Sequence, residues 1–189
     1  MSEDFPNAAL IDGAGLRFGI VAARFNQRHV DDLLVQALDA LDRAGVAAED
    51  IETVRVPGSQ EVPYAAAMLA KTYEFDCIIA LGIVIAGGTS HHEIIAECTA
   101  QALQRVAIDT EIPVINGIVT VNNEAQAVER SAGPTGRGRA FGEAALQMAD
   151  VKRRLVGRLD EIDAIRAAEA AQWGAGDEEP PSPEDPWKL

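Results

Sequence analysis

Residues 75–95 read FDCIIALGIVIAGGTSHHEII, and this stretch decides the fold class of the chain. Its first half, residues 75–85, is apolar at almost every position, with Asp76 as the exception, which is typical of a strand that is buried on both faces. Two glycines follow, and Ser90 with Glu93 has the spacing of a capping box that opens a helix. The stretch therefore predicts a strand of a covered parallel sheet, a short turn and a helix.

The same alternation of strand and helix patterns continues on both sides of this stretch. Three further apolar runs predict strands over residues 16–24, 51–59 and 113–121. Apolar residues at helical spacing predict a helix after the first strand. Its buried face consists of Val30, Leu33, Leu34, Ala37, Leu38 and Leu41.

Local signals indicate the remaining helices. Pro63 suits the first turn of a helix, where its missing N–H costs little. Asn123 with Gln126 predicts the cap of a short helix that runs through Arg130, and the last helix is expected from about Glu143. In the helix after residue 90, the expected buried stripe consists of Ile94, Cys98, Ala102 and Val106.

The alternation of strands and helices predicts an α/β fold. Right-handed crossovers between such strands give a parallel sheet with helices on both faces. Ligands of these folds bind at the carboxyl ends of the strands. Four segments are expected at those ends, namely residues 23–26, 57–61, 82–92 and 116–123.

Composition narrows the class of partners. Hydrophobic residues make up 48% of the 189 residues and the net charge is −14, which argues against binding nucleic acid or anionic membrane through a basic surface. The most apolar run, residues 77–86, is too short to span a membrane, and residues 1–10 do not resemble a secretory signal. Cys77 and Cys98 match no disulfide framework or metal site, so we expect two buried free thiols in a cytoplasmic protein.

The chain is expected to fold as one main domain over residues 1–157. Residues 158–173 are compatible with an extension of the last helix. Residues 174–189 contain four prolines and five acids, a composition typical of disorder. Residues 158–189 are therefore predicted to be a helical extension followed by an acidic, proline-rich tail.

Residues 87–92 combine several features that suit an anion. The glycines allow close approach to the backbone, and a helix N-terminus offers unpaired N–H groups and the positive end of its dipole. Thr89 and Ser90 add hydroxyl groups, although Ser90 is also placed to cap its own helix. His91 would lie beside the anion and can transfer protons near neutral pH. His92 lies about 100° around the helix, and we expect it to be exposed.

The alternative for the same residues is an ordinary capped helix with two surface histidines. The sequence contains no GxxxxGK[ST] phosphate loop and no HExxH motif. It therefore predicts no nucleotide loop and no metal site.

Four motifs, in this order, resemble the 6,7-dimethyl-8-ribityllumazine synthases: GIVAARFN, VPGSQEVPYAA, ALGIVIAGGTSHHEII, and PVINGIVT followed by EAQAVERS. The resemblance covers about residues 16–154. It implies a three-layer α/β/α domain of the flavodoxin-like type with a four-stranded parallel sheet. It also implies a transferase that acts in the penultimate step of riboflavin biosynthesis. That enzyme condenses 5-amino-6-(D-ribitylamino)uracil with 3,4-dihydroxy-2-butanone 4-phosphate, without metal or organic cofactor.

The resemblance assigns roles in binding the pyrimidine substrate. Phe25 would stack on its ring, and the backbone of Ile83, Val84 and Ile85 would bind its edge. The segment that holds the uracil and the ribityl chain is matched by Ser59, Gln60 and Glu61.

The resemblance also assigns roles at the sugar phosphate. Gly88 and Thr89 match the phosphate-binding pair, and His91 matches the proton-transferring histidine. Arg130 matches the arginine that grips the phosphate with its planar fork of donors. Asn116 and Arg130 would serve the site of a neighbouring subunit, so the resemblance implies a homo-oligomer with shared sites.

Three positions depart from the family pattern. Asn116 stands where many members have Phe, and Gln60 stands where an aromatic or other apolar residue is common. Arg137 is the expected replacement for a family lysine, with Arg139 as the alternative. Asn116 and Gln60 keep a second class open, a non-catalytic relative that binds lumazine or flavin or forms a shell.

The expected assembly follows from the same resemblance. The family forms pentamers, and in some members pentamers build hollow icosahedral shells. The 18 residues from Arg130 to Met148 leave no evident room for the kink-forming insertion of free pentamers, which favours a shell.

Overall fold

The structure, a computed structural model, describes residues 11–173. Strands and helices alternate along them, as the sequence predicts. The strands are β1 (Phe18–Ala23), β2 (Ile51–Val56), β3 (Cys77–Ile85) and β4 (Val114–Val121). The helices are α1 (Gln27–Arg43), α2 (Val62–Ala70), α3 (His91–Thr110), α4 (Glu124–Ser131) and α5 (Gly138–Trp173).

The strands form one parallel sheet in the order β2-β1-β3-β4. In this doubly wound order the direction of winding reverses between β1 and β3, and ligands bind beside that reversal. The predicted α/β fold with a four-stranded parallel sheet of the flavodoxin-like type is confirmed.

Helices cover both faces of the sheet. All residues of β1 are buried, and alternate ones face opposite sides, Phe18 and Ile20 on one side and Val21 and Ala23 on the other. One core cluster packs the first face against α1, α4 and the first turns of α5, through residues such as Val30, Leu33, Ala127 and Phe141. The other packs the second face against α2 and α3, through Val62, Ala66 and Leu103.

The last helix begins earlier than the sequence predicts. α5 starts at Gly138 rather than near Glu143, because its glycines lie against α1 instead of forming a loop. A Cβ on Gly138 would clash with the Leu33 carbonyl, and one on Gly142 would lie 2.8 Å from the Ala37 carbonyl oxygen. The Gly-rich segment therefore permits close helix packing at its end.

The predicted buried stripe of α3 is wrong in its first half, whereas Ala102 and Val106 are half-buried and Val106 packs against the second core cluster. Ile94 is 57% exposed and Cys98 is exposed, so the expectation of two buried thiols fails for Cys98. The fully buried residues of α3 are Thr99, Leu103 and Thr110, of which the first two lie one position around the helix from Cys98 and Ala102. The sequence pattern identified the most apolar face of α3, whereas packing on the sheet uses an adjacent face that contains two threonines.

The chain divides into two compact units at Lys152 and Arg153. In the second unit, residues 153–173 continue α5 as a helix. The predicted tail, residues 174–189, lies outside the described residues. Among residues 11–173, no helix is long and apolar enough to cross a membrane.

The two cysteines should differ in reactivity. Burial raises the pKa of the Cys77 thiol far above its ordinary value, so almost no thiolate forms there at pH 8. We expect iodoacetamide at pH 8 to leave Cys77 unmodified in the native protein and to modify it fully in urea, as measured by peptide mass spectrometry. A Cys98→Ser variant should carry no label until it is unfolded. Labelling of native Cys77 would contradict the buried position of β3.

Candidate active site

A cavity of about 490 Å³ opens at the carboxyl ends of β1, β2 and β3. This is the place where the fold class predicts a ligand. The residues that line it are Phe25, Asn26, Pro57, Gly58, Ser59, Gln60, Glu61, Ile83, Val84, Ile85, Gly87, Thr89, His91, His92 and Ile95.

The segment after β1 supplies an exposed aromatic ring. Phe25 is 71% exposed although it lies only two residues after the buried strand β1. Its backbone N–H donates to the Pro57 carbonyl at 2.9 Å, which ties it to the end of β2. Asn26 then adopts a left-handed conformation with φ 57° and turns the chain into α1. Phe25 therefore offers one flat apolar surface to the cavity.

The segment after β2 forms a short 3-10 turn, Ser59–Glu61. Ser59 is buried against β3, where a Cβ on Gly82 would lie 2.5 Å from its Oγ. Glycine at position 82 thus lets the turn pack on the strand. Gln60 and Glu61 are exposed, and Glu61 stands at the N-terminus of α2, where a carboxylate is favoured by the helix dipole.

The end of β3 presents backbone groups to the cavity. β3 pairs with β1 only as far as Leu81 but with β4 as far as Ile85. The N–H groups of Ile78 and Ala86 both donate toward the β4 side, so by strand alternation Val84 also faces β4, whereas Ile83 and Ile85 face the cavity. The Ile83 carbonyl accepts one bond there, from Asn26 Nδ2 at 2.9 Å.

The N-terminus of α3 forms the opposite wall. The predicted capping box is wrong, because Ser90 is the N-cap residue but its side chain makes no capping bond. The Ser90 hydroxyl and the first N–H groups of α3 are therefore available to a ligand. A Cβ on Gly87 or Gly88 would meet nothing within 4 Å, so the space beside both is open.

Both histidines line this wall. His91 is exposed, and His92 is half-buried rather than exposed as expected. His92 Nδ1 lies 3.0 Å from the Thr89 carbonyl oxygen, to which it donates because a carbonyl only accepts. That bond turns the His92 ring back over the preceding loop. Among residues 11–173, no group of His, Cys, Asp and Glu is arranged to hold a metal ion.

A second cavity of about 280 Å³ contains the remaining predicted residues. Asn116, Arg130 and Arg137 line it, together with Ile118, Val119, Thr120 and Phe141. The Asn116 side chain accepts a bond from Ile118 N at 3.0 Å. Arg139 instead lies 3.6 Å from the Asp39 carboxylate on α1. Within one chain, Asn116, Arg130 and Arg137 thus line a different cavity from His91.

The structure brings most of the predicted residues to the first cavity. Nine of them line it directly, and Gly88 lies between the lining residues Gly87 and Thr89. Asn26 and His92 line it too, but sequence reasoning gave neither a role there. A signal for Asn26 existed, because Asn after a strand often adopts the left-handed conformation. The sequence carries no such signal for His92, because the orientation of its ring depends on the bond to the Thr89 carbonyl.

Comparisons with known proteins agree on one family. The family model described as 6,7-dimethyl-8-ribityllumazine synthase matches residues 15–153. A 6,7-dimethyl-8-ribityllumazine synthase of Thermococcus gammatolerans is 41% identical over 143 residues, which cover 76% of this chain and 92% of that protein. One of Paraburkholderia phymatum is 41% identical over 141 residues, which cover 75% and 80%.

Asn26 should matter both for its conformation and for its bond to Ile83. Asn26→Gly keeps the left-handed turn and loses the bond, at a cost of about 1 kcal/mol in the free energy of unfolding. Asn26→Ala loses both and should cost about 1 kcal/mol more. Urea unfolding followed by circular dichroism, at one protein concentration, measures the difference. Equal stability of the two variants would show that the left-handed conformation carries no strain.

Proposed function

This chain belongs to the 6,7-dimethyl-8-ribityllumazine synthase family, and from its residues we propose how it carries out the family's reaction. The enzyme condenses 5-amino-6-(D-ribitylamino)uracil with 3,4-dihydroxy-2-butanone 4-phosphate to 6,7-dimethyl-8-ribityllumazine, in the penultimate step of riboflavin biosynthesis. The proposal is carried by one observation, an open cavity that combines an aromatic face, strand-edge backbone groups and a helix N-terminus beside a histidine.

The pyrimidine substrate is proposed to lie between Phe25 and the end of β3. The exposed ring of Phe25 stacks on the heterocycle. The backbone groups of Ile83 and Ile85 bind its polar edge, because these residues face the cavity beyond the end of β1. Val84 contributes its side chain to the cavity wall, since its backbone faces β4.

The ribityl chain is proposed to follow the turn after β2. Its hydroxyl groups are donors as well as acceptors, and the exposed Glu61 carboxylate accepts from them. The exposed Gln60 offers an amide that both donates and accepts. Ser59 supports this segment through its buried contact with Gly82.

The phosphate is proposed to bind at the N-terminus of α3. The backbone of Gly88 and Thr89 and the first N–H groups of the helix are suited to a phosphate dianion. Arg130 would add a bidentate contact from a neighbouring subunit. Arg137 joins it in this proposal, because Arg137 lines the cavity of Arg130, whereas Arg139 lies beside Asp39.

His91 is proposed to move the protons. The amine of the uracil substrate adds to the ketone, and loss of water gives an imine. Loss of phosphate and ring closure with loss of a second water complete the lumazine. One imidazole beside both substrates can donate and accept in turn, and holding two substrates together lowers the barrier further. No metal or organic cofactor is part of this scheme.

A homo-oligomer with shared sites is part of the proposal. It is supported by the separation of His91 from Arg130 and Asn116 within one chain. Each complete site then needs two chains, with α3 from one and α4 from the next. A cytoplasmic location is also proposed, which the two free thiols, Cys77 and Cys98, support because thiols persist in a reducing compartment.

His91→Ala should lower kcat by about a hundredfold and change both KM values little, because it removes a proton donor and acceptor. His92→Ala is the matched control and should lower kcat less than about tenfold, since its Nδ1 is directed to the Thr89 carbonyl. Lumazine absorbance with both substrates present measures the rate. Equal kcat values for His91→Ala and the unchanged protein would remove His91 from the mechanism. Lumazine binding without turnover by the unchanged protein would favour the non-catalytic alternative.

The assembly is predicted to be an icosahedral shell. The connection from α4 to α5 has room only for residues 132–137, too few for a kink-forming insertion. Light scattering should therefore give a mass near sixty chains of 20.1 kDa, about 1,200 kDa. A mass of about 100 kDa, five such chains, would show a free pentamer and contradict the shell.

A further inference from the structure

α1 and α4 are joined by a partly buried polar cluster that the scheme above does not use. It consists of His29, Gln36, Glu124 and Ser131, and we refer to it as the His29 cluster. His29 Nδ1 lies 3.0 Å from Ser131 Oγ, and its Nε2 lies 2.8 Å from Glu124 Oε1. Glu124 and Ser131 are the first and last residues of α4, so a single imidazole contacts both ends of that helix.

The partners of His29 fix the direction of these bonds. A carboxylate only accepts, so Nε2 carries a proton and donates to Glu124 in a charge-assisted bond. When the ring is neutral, Nδ1 accepts from the Ser131 hydroxyl. When the ring is charged, Nδ1 donates to Ser131, whose hydroxyl then turns to the Val128 carbonyl at 3.5 Å. The cluster is therefore satisfied with either charge on the ring.

The cluster is not a second catalytic site. Serine, histidine and glutamate are the residue types of a hydrolase triad, in which the serine must meet a substrate. Ser131 is fully buried and His29 is 4% exposed, so no substrate reaches Oγ. Glu124 is the exposed member of the cluster, and it lies at the N-terminus of α4, where the helix dipole favours a carboxylate. The arrangement is suited to holding two helices together.

Gln36 adds a second attachment at the same point. Its Nε2 donates to the Ser131 carbonyl, one of the helix-end carbonyls that have no partner within α4. Gln36 and His29 are seven residues apart on one face of α1. The C-terminal end of α4 is thus held through both the side chain and the backbone of Ser131.

The residue before Ser131 is Arg130. Its carbonyl accepts from Arg137 N at 2.9 Å, and both arginines line the second cavity. We infer that His29 is a positioning residue, which holds α4 through Ser131 and Glu124 so that Arg130 points toward the substrate's phosphate. This inference rests on the proposed role of Arg130. It assigns a task to α1 residues that line neither cavity.

The first experiment compares the effect of His29 substitutions on the KM values of the two substrates. His29→Leu should raise KM for 3,4-dihydroxy-2-butanone 4-phosphate, and the inhibition constant of inorganic phosphate, by about tenfold, because small displacements of a charged group are costly. KM for the pyrimidine should change less than about twofold. Ser131→Ala should act in the same direction, and His29→Gln should restore part of the loss by donating to Glu124. Equal effects on both substrates would overturn the inference.

A matched control accounts for lost stability. Leu69→Ala removes a buried side chain from α2, which packs on the opposite face of the sheet from α4, so it should lower the unfolding temperature and leave both KM values unchanged. Circular dichroism identifies the variants that fold. If His29→Leu does not fold, Ser131→Ala and His29→Gln provide the same comparison. An altered phosphate constant in Leu69→Ala would assign the effect to stability and overturn the inference.

A double-mutant cycle separates this inference from the proposed function. The phosphate constants are the KM for 3,4-dihydroxy-2-butanone 4-phosphate and the inhibition constant of inorganic phosphate. If Arg130→Ala leaves them unchanged, the proposed role of Arg130 fails, and the inference fails with it. If Arg130→Ala raises them and His29→Leu does not, the inference alone is overturned. If both raise them, His29→Leu should add little in the Arg130→Ala background, since it acts through Arg130. If the fold-changes of the two single variants multiply in the double variant, His29 acts independently of Arg130, which would overturn the inference.

Discussion

The unequal pairing of β3 is the constraint on which the site depends. β3 pairs with β4 from Ile78 to Ile85 but has no pairing with β1 after Leu81. Backbone N–H and C=O groups beyond that point need other partners, because unpaired buried peptide groups are costly. Asn26 meets part of this need at the Ile83 carbonyl. The other exposed edge positions are a ready surface for a flat heterocycle that carries its own donors and acceptors.

Strand positions were predictable because burial on both faces produces continuous apolar runs. β1 and β3 are nearly fully buried, and their sequences contain few polar residues to blur the pattern. The first cavity was predictable in outline for the same reason, since the fold class brings strand ends together. The bond from the Asn26 side chain was not, because its acceptor is a carbonyl 57 residues away in sequence. Tertiary acceptors of this kind leave no local pattern.

α3 shows a second limit of sequence reasoning. The first half of its most apolar stripe, Ile94 and Cys98, is exposed in the single chain, whereas Thr99 and Leu103 face the core. Periodicity identifies the apolar face of a helix but not what covers it. At the start of α3, the Ser90–Glu93 spacing predicted a cap that the hydroxyl does not make. In the proposed site this difference is useful, since an uncapped N-terminus retains donors for a phosphate.

α4 shows why polar contacts can decide the position of a functional side chain. It is eight residues long, and its buried residues are Ala127 and Ser131, so little apolar area attaches it to the sheet. Apolar burial is also non-directional, whereas hydrogen bonds prefer narrow geometries and fix rotation about the helix axis. A rotation error moves the tip of a long arginine side chain furthest. A short helix with few apolar contacts that carries such a side chain therefore needs directional attachments, and the His29 cluster supplies them at both ends of α4.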